Sequence, residues 1–211
     1  TGACHGIAAG IFLLGALLAY GAVQRDPAAA YALMAGGEVR QVGASREQLL
    51  EALRQGRDQG GGSKFAFASF LFSNNIRVGI LALATGILAA VPTVLLIGYN
   101  GMTVGAFTAI YHEHGIYAEY WAWILPHGIT ELTAVVLAGG VGLLLGKALV
   151  CPGWRTRTES VVEAGREAVR VCLGVAAMLV VAAIVESYLR QSHLETWARF
   201  VFAAATALFW A

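Results

Sequence analysis

The sequence predicts an all-α polytopic transmembrane helix bundle of about six spans, some short or bent, with one amphipathic interfacial helix. The first observation is composition: of 211 residues, 58% are hydrophobic and only 13% are charged. Soluble domains are about 45–50% apolar and about 25% charged. The second observation is that the charges leave runs approaching the roughly 20 apolar residues that cross a bilayer. A soluble globular domain is therefore excluded.

Charge and the start of the chain exclude two further classes. The net charge is +1 and no long basic run occurs, so nothing indicates nucleic-acid binding. The chain begins at Thr1 and enters its first hydrophobic segment without a basic n-region or a small-residue cleavage motif. A signal peptide is therefore not predicted, and we expect the chain to start downstream of its natural N-terminus.

The N-terminal part divides into a membrane helix and a loop. Gly6–Val23 carry no charge and are followed by charged residues and a proline, so residues 1–24 are predicted as the first transmembrane helix. Residues 25–64 carry charges of both signs and are predicted as an extramembrane loop. Within this loop, Ser45 and Gln48 have the spacing of a capping box, which predicts a short amphipathic helix.

Two apolar runs separated by a turn signal follow. Val78–Gly98 are uncharged and predict a second span that bends at Pro92. Asn100 and Gly101 come next, and because both residue types accept positive φ, they predict a tight turn. The stretch Met102–Tyr111 then predicts a third, shorter span.

The remainder of the predicted main membrane domain, residues 65–211, contains three more spans. Tyr117–Val150 predict the fourth span, with tryptophans at a membrane interface. Residues 155–170 have charges at helical spacing beside apolar positions, which predicts an interfacial amphipathic helix. Val171–Leu189 and Trp197–Ala211 complete the count as the fifth and sixth spans.

Basic residues predict the orientation of these spans. The loop at 25–64 has six Lys and Arg in about forty residues, whereas the connection Lys147–Arg170 has five in about half that length. The denser connection is expected on the cytoplasmic side, which places the loop at 25–64 outside.

The most informative polar motif is PHGITELTA. Pro126 suits the first turn of a helix, so we predict a helix start there, with Gly128 in the same turn. His127 and Glu131 lie four residues apart and therefore share one helix face. Polar groups at membrane depth are costly and need a partner, a cavity or a function, so both side chains are expected to face protein.

Small residues continue the same face toward the C-terminus of this helix. They are Ala134, Ala138, Gly142 and Gly146. Such a ladder allows another helix to approach closely in the bilayer. We predict a helix-packing surface here, and a homodimer built through it.

Further polar residues complete a predicted intramembrane cluster. Glu186 stands near the end of the fifth span and could meet His127 or Arg77 across the bundle, or simply reach the interface. Asn74 and Asn75 could cap the second span or form hydrogen bonds between helices.

Three interpretations of the His127–Glu131 pair stay open. The pair could lock helices together, relay protons or ions along a path that includes Glu186, or contribute to a metal site. Metal sites normally need three or four ligands, and no further residue has a recognised ligand spacing. No phosphate loop, HExxH or GxSxG motif occurs. We therefore predict no catalytic residues, no metal and no cofactor.

The order of these elements resembles the stage II sporulation protein M family of integral membrane proteins. The similar segments are FLFSNNIRVGILALATGIL, GYNGMTVGAF, LPHGITELTAVVLAGGVGLLLG and AAIVES. They cover roughly Phe65–Tyr188, and the PHGxxE element is the most specific. Asn74, Asn75, Asn100, Gly101 and Glu186 fall where the family carries its polar and turn residues.

The resemblance implies a multi-pass protein of the bacterial cytoplasmic membrane. The family's namesake is the membrane member of a complex with two peptidoglycan-degrading proteins, so the resemblance implies a non-enzymatic scaffold in the lipid bilayer whose partners include cell-wall-remodelling enzymes. A transporter or channel lined by His127, Glu131 and Glu186 is the first alternative. An intramembrane metal-dependent hydrolase is the second.

Overall fold

The protein is described here from a computed structural model, which describes residues 2–33, 43–54, 81, 84–189, 192 and 194–210. Over these residues the fold is helical and contains no strand. The helices are α1 (Gly2–Arg25), α2 (Ala29–Leu33), α3 (Arg46–Arg54), a 3₁₀ helix (Thr85–Ile87), α4 (Val91–Glu113), α5 (Tyr117–Val150), α6 (Arg157–Leu189) and α7 (Thr196–Trp210).

Four of these helices are long and apolar enough to cross a membrane. They are α1, α4, α5 and the segment Arg157–Glu186 of α6. The predicted all-helical membrane fold and its first span are thus confirmed at the level of length and composition. The predicted count of about six spans is not confirmed within the described residues, and the reasons lie in α4 and α7.

Helices α1 and α4 lie side by side and run in the same direction. A Cβ atom added to Gly101 would meet the backbone of Phe12, and one added to Gly105 would meet the backbone of Ala16. Four residues toward the C-terminus of α1, from Phe12 to Ala16, correspond to four residues toward the C-terminus of α4, so the two helices are parallel. Glycine permits this close contact in a bilayer, where helix association depends on van der Waals packing.

The predicted turn at Asn100 and Gly101 is wrong, because both residues lie inside the continuous helix α4. The Asn100 side-chain amide donates a hydrogen bond to the Leu96 carbonyl oxygen at 2.8 Å, one turn back within the same helix. Gly101 is required for the approach of α1 and not for a positive φ. The predicted second and third spans therefore share one helix from Val91 onward.

The predicted bend of a span at Pro92 is wrong. Pro92 lies in the first turn of α4. Ala89 and Ala90 precede it with left-handed φ angles of 54° and 62°. Proline suits the first helical turn, since its missing N–H has no partner there in any case. The first part of the predicted second span, Val78–Ile80, lies outside the described residues.

Helix α5 is the central element, and its bounds, Tyr117–Val150, are those of the predicted fourth span. Pro126 and Gly128 lie in its interior and not at a helix start, since α5 begins at Tyr117 and runs for 34 residues. At about 1.5 Å per residue, this length is about 51 Å. An interior proline frees a carbonyl one turn back, which membrane helices tolerate when neighbouring groups compensate.

Helix α6 packs antiparallel to α5 along most of its length. Ala134 and Ala138 share a cluster with Val175 and Met178. Further along α5, Val141 and Leu145 share another cluster with Ala164 and Ala168 of α6. The predicted interfacial helix at 155–170 is therefore not a separate element in the membrane plane, because from Arg157 onward it is the first half of α6.

The predicted sixth span is present as helix α7, but it does not reach span length. It has 15 residues, or about 22 Å, which is less than the roughly 30 Å hydrocarbon core of a bilayer. The Trp210 indole N–H at its end donates a hydrogen bond to the Thr130 hydroxyl of α5 at 2.9 Å. Helix α7 therefore packs along α5 as a partial span.

Helices α2 and α3 cover one end of the bundle. Leu49 and Leu53 of α3 are buried in one cluster with Tyr111, Ile116 and Tyr120, which surround the turn between α4 and α5. The rings of Tyr111 and Tyr120 stack there with centroids 4.5 Å apart. We call this end, formed by these five residues and their neighbours in the cluster, the aromatic end.

Candidate functional site: a polar cluster between α5 and α6

The structure brings His127, Glu131 and Glu186 together between α5 and α6. One potential ligand atom from each side chain lies within 4.8 Å of the other two. His127 Nε2 and Glu186 Oε1 are 3.8 Å apart. His127 and Glu186 are 5% and 3% exposed, and Glu131 is half-buried. We call these three residues the His–Glu cluster.

Two features, one local to α5 and one tertiary, bring these residues together. His127 and Glu131 are one turn apart on α5, so both project from one face. The antiparallel packing that puts Ala134 and Leu179 in one cluster places Glu186, two turns further along α6, beside His127, two turns earlier on α5. The spacing within α5 predicts the first pair, whereas only the tertiary register supplies Glu186.

The cluster lies inside the apolar run of α5 and at the C-terminal end of the apolar run of α6. In α5, Glu131 is the only charged residue between Glu119 and Lys147. In α6, fifteen residues without charge separate Arg170 from Glu186. Groups of this kind in transmembrane segments face the bundle interior and pair with one another, and the burial of His127 and Glu186 agrees with that rule.

Electrostatics disfavours two ionised, uncompensated carboxylates in this cluster. With oxygens no more than 4.8 Å apart, they would repel by about 3.5 kcal/mol or more at an effective dielectric constant of about 20. Protonated His127, a proton held by one carboxyl group, or a bound cation each removes this repulsion. The arrangement can therefore hold a proton or a cation between two helices.

Aromatic and hydroxyl side chains lie next to the residues of the cluster. The Trp123 ring meets the His127 ring edge-on with centroids 6.0 Å apart. Thr130, next to Glu131 in the chain, is 1% exposed and accepts the hydrogen bond from Trp210 of α7. Three helices therefore contribute side chains around the cluster.

The predicted helix-packing residues lie between elements of the same chain. Ala134 and Ala138 are 0% and 2% exposed and pack against α6. A Cβ atom on Gly146 would lie 2.7 Å from the Ala90 backbone nitrogen, and the Gly142 backbone lies against Gly86 of the 3₁₀ helix. Other elements of the same chain cover these small residues, so a homodimer would need another surface. The homodimer itself stays a prediction.

Within the described residues, no contact links the remaining predicted polar residues to the His–Glu cluster. Asn74, Asn75 and Arg77 lie outside the described residues. Asn100 uses its amide within α4.

Sequence reasoning missed one buried cation. Arg199 of α7 is 3% exposed, and its guanidinium donates hydrogen bonds to the carbonyl oxygens of Leu194 at 3.2 Å and Ser192 at 2.9 Å. It thereby satisfies the backbone that connects α6 to α7. Its place as the one charged residue in the otherwise apolar sequence of α7 is the signal that could have indicated a specific polar partner.

Sequence reasoning also missed the partner of His112. Tyr20 of α1 and His112 of α4 form a hydrogen bond between the phenol oxygen and Nδ1, at 2.5 Å. This bond joins the C-terminal parts of two parallel helices at the aromatic end.

The start of α3 has the predicted capping box. The Ser45 backbone N–H donates to Gln48 Oε1 at 2.8 Å, and the Gln48 backbone N–H donates to the Ser45 hydroxyl at 3.3 Å. Glu47 lies in the first turn and is exposed. Its own backbone N–H, and then the Ser45 hydroxyl, hold the pKa of the Glu47 carboxyl below its usual value.

Taken together, the fold and the cluster define a class: a helical membrane protein with several candidate spans and an ionisable site between two of them. The model of the family described as stage II sporulation protein M matches residues 8–190. The chain therefore belongs to the stage II sporulation protein M family, as its motifs predicted. No match was found among curated proteins or among solved structures.

Proposed function

We propose that this protein is a non-enzymatic scaffold that organises partner proteins, cell-wall-remodelling enzymes among them, at the bacterial cytoplasmic membrane. Membership of the stage II sporulation protein M family supports a membrane protein of this type. The structural observation that carries the proposal is the docking of α3 on the aromatic end. A scaffold needs a binding element held in a fixed position relative to the membrane, and α3 has that property.

The docking of α3 is asymmetric. Leu49 and Leu53 are 0% and 5% exposed, whereas Arg46, Glu47 and Glu51 are exposed on its other side. Burying two leucine side chains stabilises the docked position by about 3–6 kcal/mol, at roughly 1.5–3 kcal/mol for each. The charged side therefore has a fixed orientation toward the aqueous phase, and we propose it as the partner surface.

The proposed orientation places this surface where the cell wall lies. At the opposite end of the bundle, five basic residues lie between Lys147 in the last turn of α5 and Arg170 in the first half of α6, counting both. By the positive-inside tendency, that end is cytoplasmic. The aromatic end and α3 then face outward, toward peptidoglycan and the enzymes that remodel it.

The test is co-purification from native membranes with a charge-reversed α3. Glu47 and Glu51 are one turn apart, so the double variant Glu47→Lys/Glu51→Lys reverses one continuous charged face. Loss of two favourable charge contacts at an interface rim slows association and weakens binding. We expect the partner recovered with the wild-type protein to fall at least about tenfold, equivalent to about 1.4 kcal/mol.

The matched control is Glu119→Lys, an exposed carboxylate in the first turn of α5 at the same end of the bundle. It carries the same charge change, and its partner recovery should equal wild type. Equal recovery with the α3 double variant and wild type would remove α3 as the binding surface. Recovery of no cell-envelope protein with the wild-type chain would remove the scaffold proposal itself.

The His–Glu cluster favours a second candidate function, a proton or ion path. Its observation is the presence of two carboxylates and one imidazole within 4.8 Å at membrane depth. Proteoliposomes of the wild-type protein should then show flux above protein-free vesicles, and Glu131→Gln should abolish it. Glu119→Gln is the control that keeps the flux. Flux that is absent, or unchanged by Glu131→Gln, removes this candidate.

A further inference from the structure

We propose that the His–Glu cluster binds one divalent transition-metal cation, of the Zn²⁺ or Co²⁺ class, between α5 and α6. The proposal concerns binding and not catalysis, and it does not depend on the scaffold role. It goes beyond the predicted absence of a metal, because the sequence offered two ligands at a defined spacing and the tertiary register adds the third.

The types of ligand favour this class of cation. An imidazole nitrogen with two carboxylate oxygens is a donor set that proteins use for Zn²⁺, at about 2.0–2.2 Å from each ligand. Imidazole suits transition metals, whereas Mg²⁺ and Ca²⁺ prefer all-oxygen sites. His127, Glu131 and Glu186 match the mixed nitrogen and oxygen set.

The geometry is close to that of a loaded site. Tetrahedral ligands about 2.1 Å from a metal are about 3.4 Å from one another. The ligand atoms of the cluster lie within 4.8 Å of one another, and His127 Nε2 is 3.8 Å from Glu186 Oε1. Each glutamate carboxylate ends a side chain with several rotatable bonds, so rotation of these side chains is the motion that we expect to close this difference.

Charge and burial also favour a cation. A divalent ion balances two carboxylates, so the loaded site is neutral at a depth where net charge is costly. His127 and Glu186 are nine-tenths or more buried, and the neighbouring Trp123 ring is packed on the imidazole. A surface cluster of carboxylates lacks both features.

The bound cation would hold α5 and α6 together at their ends near the aromatic end. Glu186 lies close to the C-terminal end of α6, beyond the cluster of Ala134, Ala138, Val175, Met178 and Leu179. Two ligands come from α5 and one from α6, so a single ion joins both helices. Metal removal is therefore expected to loosen this end of α6 before the rest of the bundle.

The test uses the full chain, purified in detergent and stripped of metal with a chelator. Zn²⁺ is titrated by calorimetry, and Co²⁺ by its d–d absorption, which reports the coordination number. We expect one ion per chain and a higher unfolding temperature on Zn²⁺ addition, since a ligand that binds the folded state stabilises it. Glu131→Gln and Glu186→Gln should each weaken binding at least about 10- to 100-fold, the loss seen when only an outer-shell partner is removed.

Two control variants separate this site from adventitious binding. Glu119→Gln removes an exposed carboxylate of the same helix, and the double variant His112→Gln/His114→Gln removes two imidazoles at the end of α4. Both controls should retain one ion per chain with wild-type affinity. If Glu131→Gln or Glu186→Gln fails to fold, His127→Gln takes its place as the ligand variant, and a wild-type chain that binds no ion still overturns the proposal.

Either of two results overturns the proposal. One is a wild-type protein that binds no ion stoichiometrically and shows no rise in unfolding temperature. The other is a stoichiometric ion whose affinity is unchanged in folded Glu131→Gln and Glu186→Gln variants.

Discussion

Adding a methyl group between α1 and α4 tests the packing on which the bundle depends. In Gly101→Ala, the new Cβ would lie 2.9 Å from the Phe12 carbonyl carbon, and in Gly105→Ala, 2.7 Å from the Ala16 carbonyl carbon. Ordinary contacts of this kind begin near 3.4 Å. The carbonyl oxygens of Phe12 and Ala16 lie closer still, so the two helices must separate by more than about 1 Å, a gap that forfeits about half or more of the dispersion attraction of each affected atom pair.

The expected cost is that of overpacking, about 1–3 kcal/mol for each variant. Unfolding in detergent, followed by circular dichroism, should show a midpoint lower by about 2–4 °C for each kcal/mol. The matched control is Gly98→Ala on the same helix, whose Cβ would lie 3.7 Å from Ile11 Cγ2. This control should be neutral or gain up to about 1 kcal/mol from higher helix propensity. Equal midpoints for all three variants would refute the close parallel packing of α1 and α4.

Two further predictions concern α6 packing and α3. Ala138→Leu should destabilise the folded chain by about 1–3 kcal/mol and leave the oligomeric state in detergent unchanged. The control Ala176→Leu, on the exposed side of α6, should change neither the stability nor the oligomeric state. Loss of a dimer in Ala138→Leu alone would restore the predicted dimer face. Ser45→Ala should weaken α3 by about 0.5–2 kcal/mol, seen as faster hydrogen exchange at the Leu49 amide with an unchanged global midpoint. Because the folded pKa of Glu47 is lowered, its contribution to α3 is present above its unfolded pKa and is lost as pH falls through the folded value, which exchange measured on an acid series should show.

Local patterns predicted those features whose cause is local. The uncharged run of α1 predicted a span, and Ser45 with Gln48 predicted the start of α3. The four-residue spacing of His127 and Glu131 predicted a shared face. Each of these depends on residues within one or two turns of a helix, so the sequence contains the whole cause.

Features whose cause is tertiary were not predictable in this way. Asn100 and Gly101 form a strong turn signal, yet their glycine serves the approach of α1, which is distant in sequence. Pro126 reads as a helix start, but α5 extends nine residues before it. Glu186 joins His127 through the register of α5 against α6, which no spacing within either helix specifies.

The direct test of the scaffold proposal is site-specific photocrosslinking in native membranes, with a photoreactive residue in place of Glu51 on the exposed side of α3. The control places the same residue at Leu17, which is 69% exposed on the apolar surface of α1 and should contact lipid. The account predicts a discrete crosslinked product with a cell-envelope protein at position 51 and none at position 17. A position 51 that yields no more protein adduct than position 17 would contradict it.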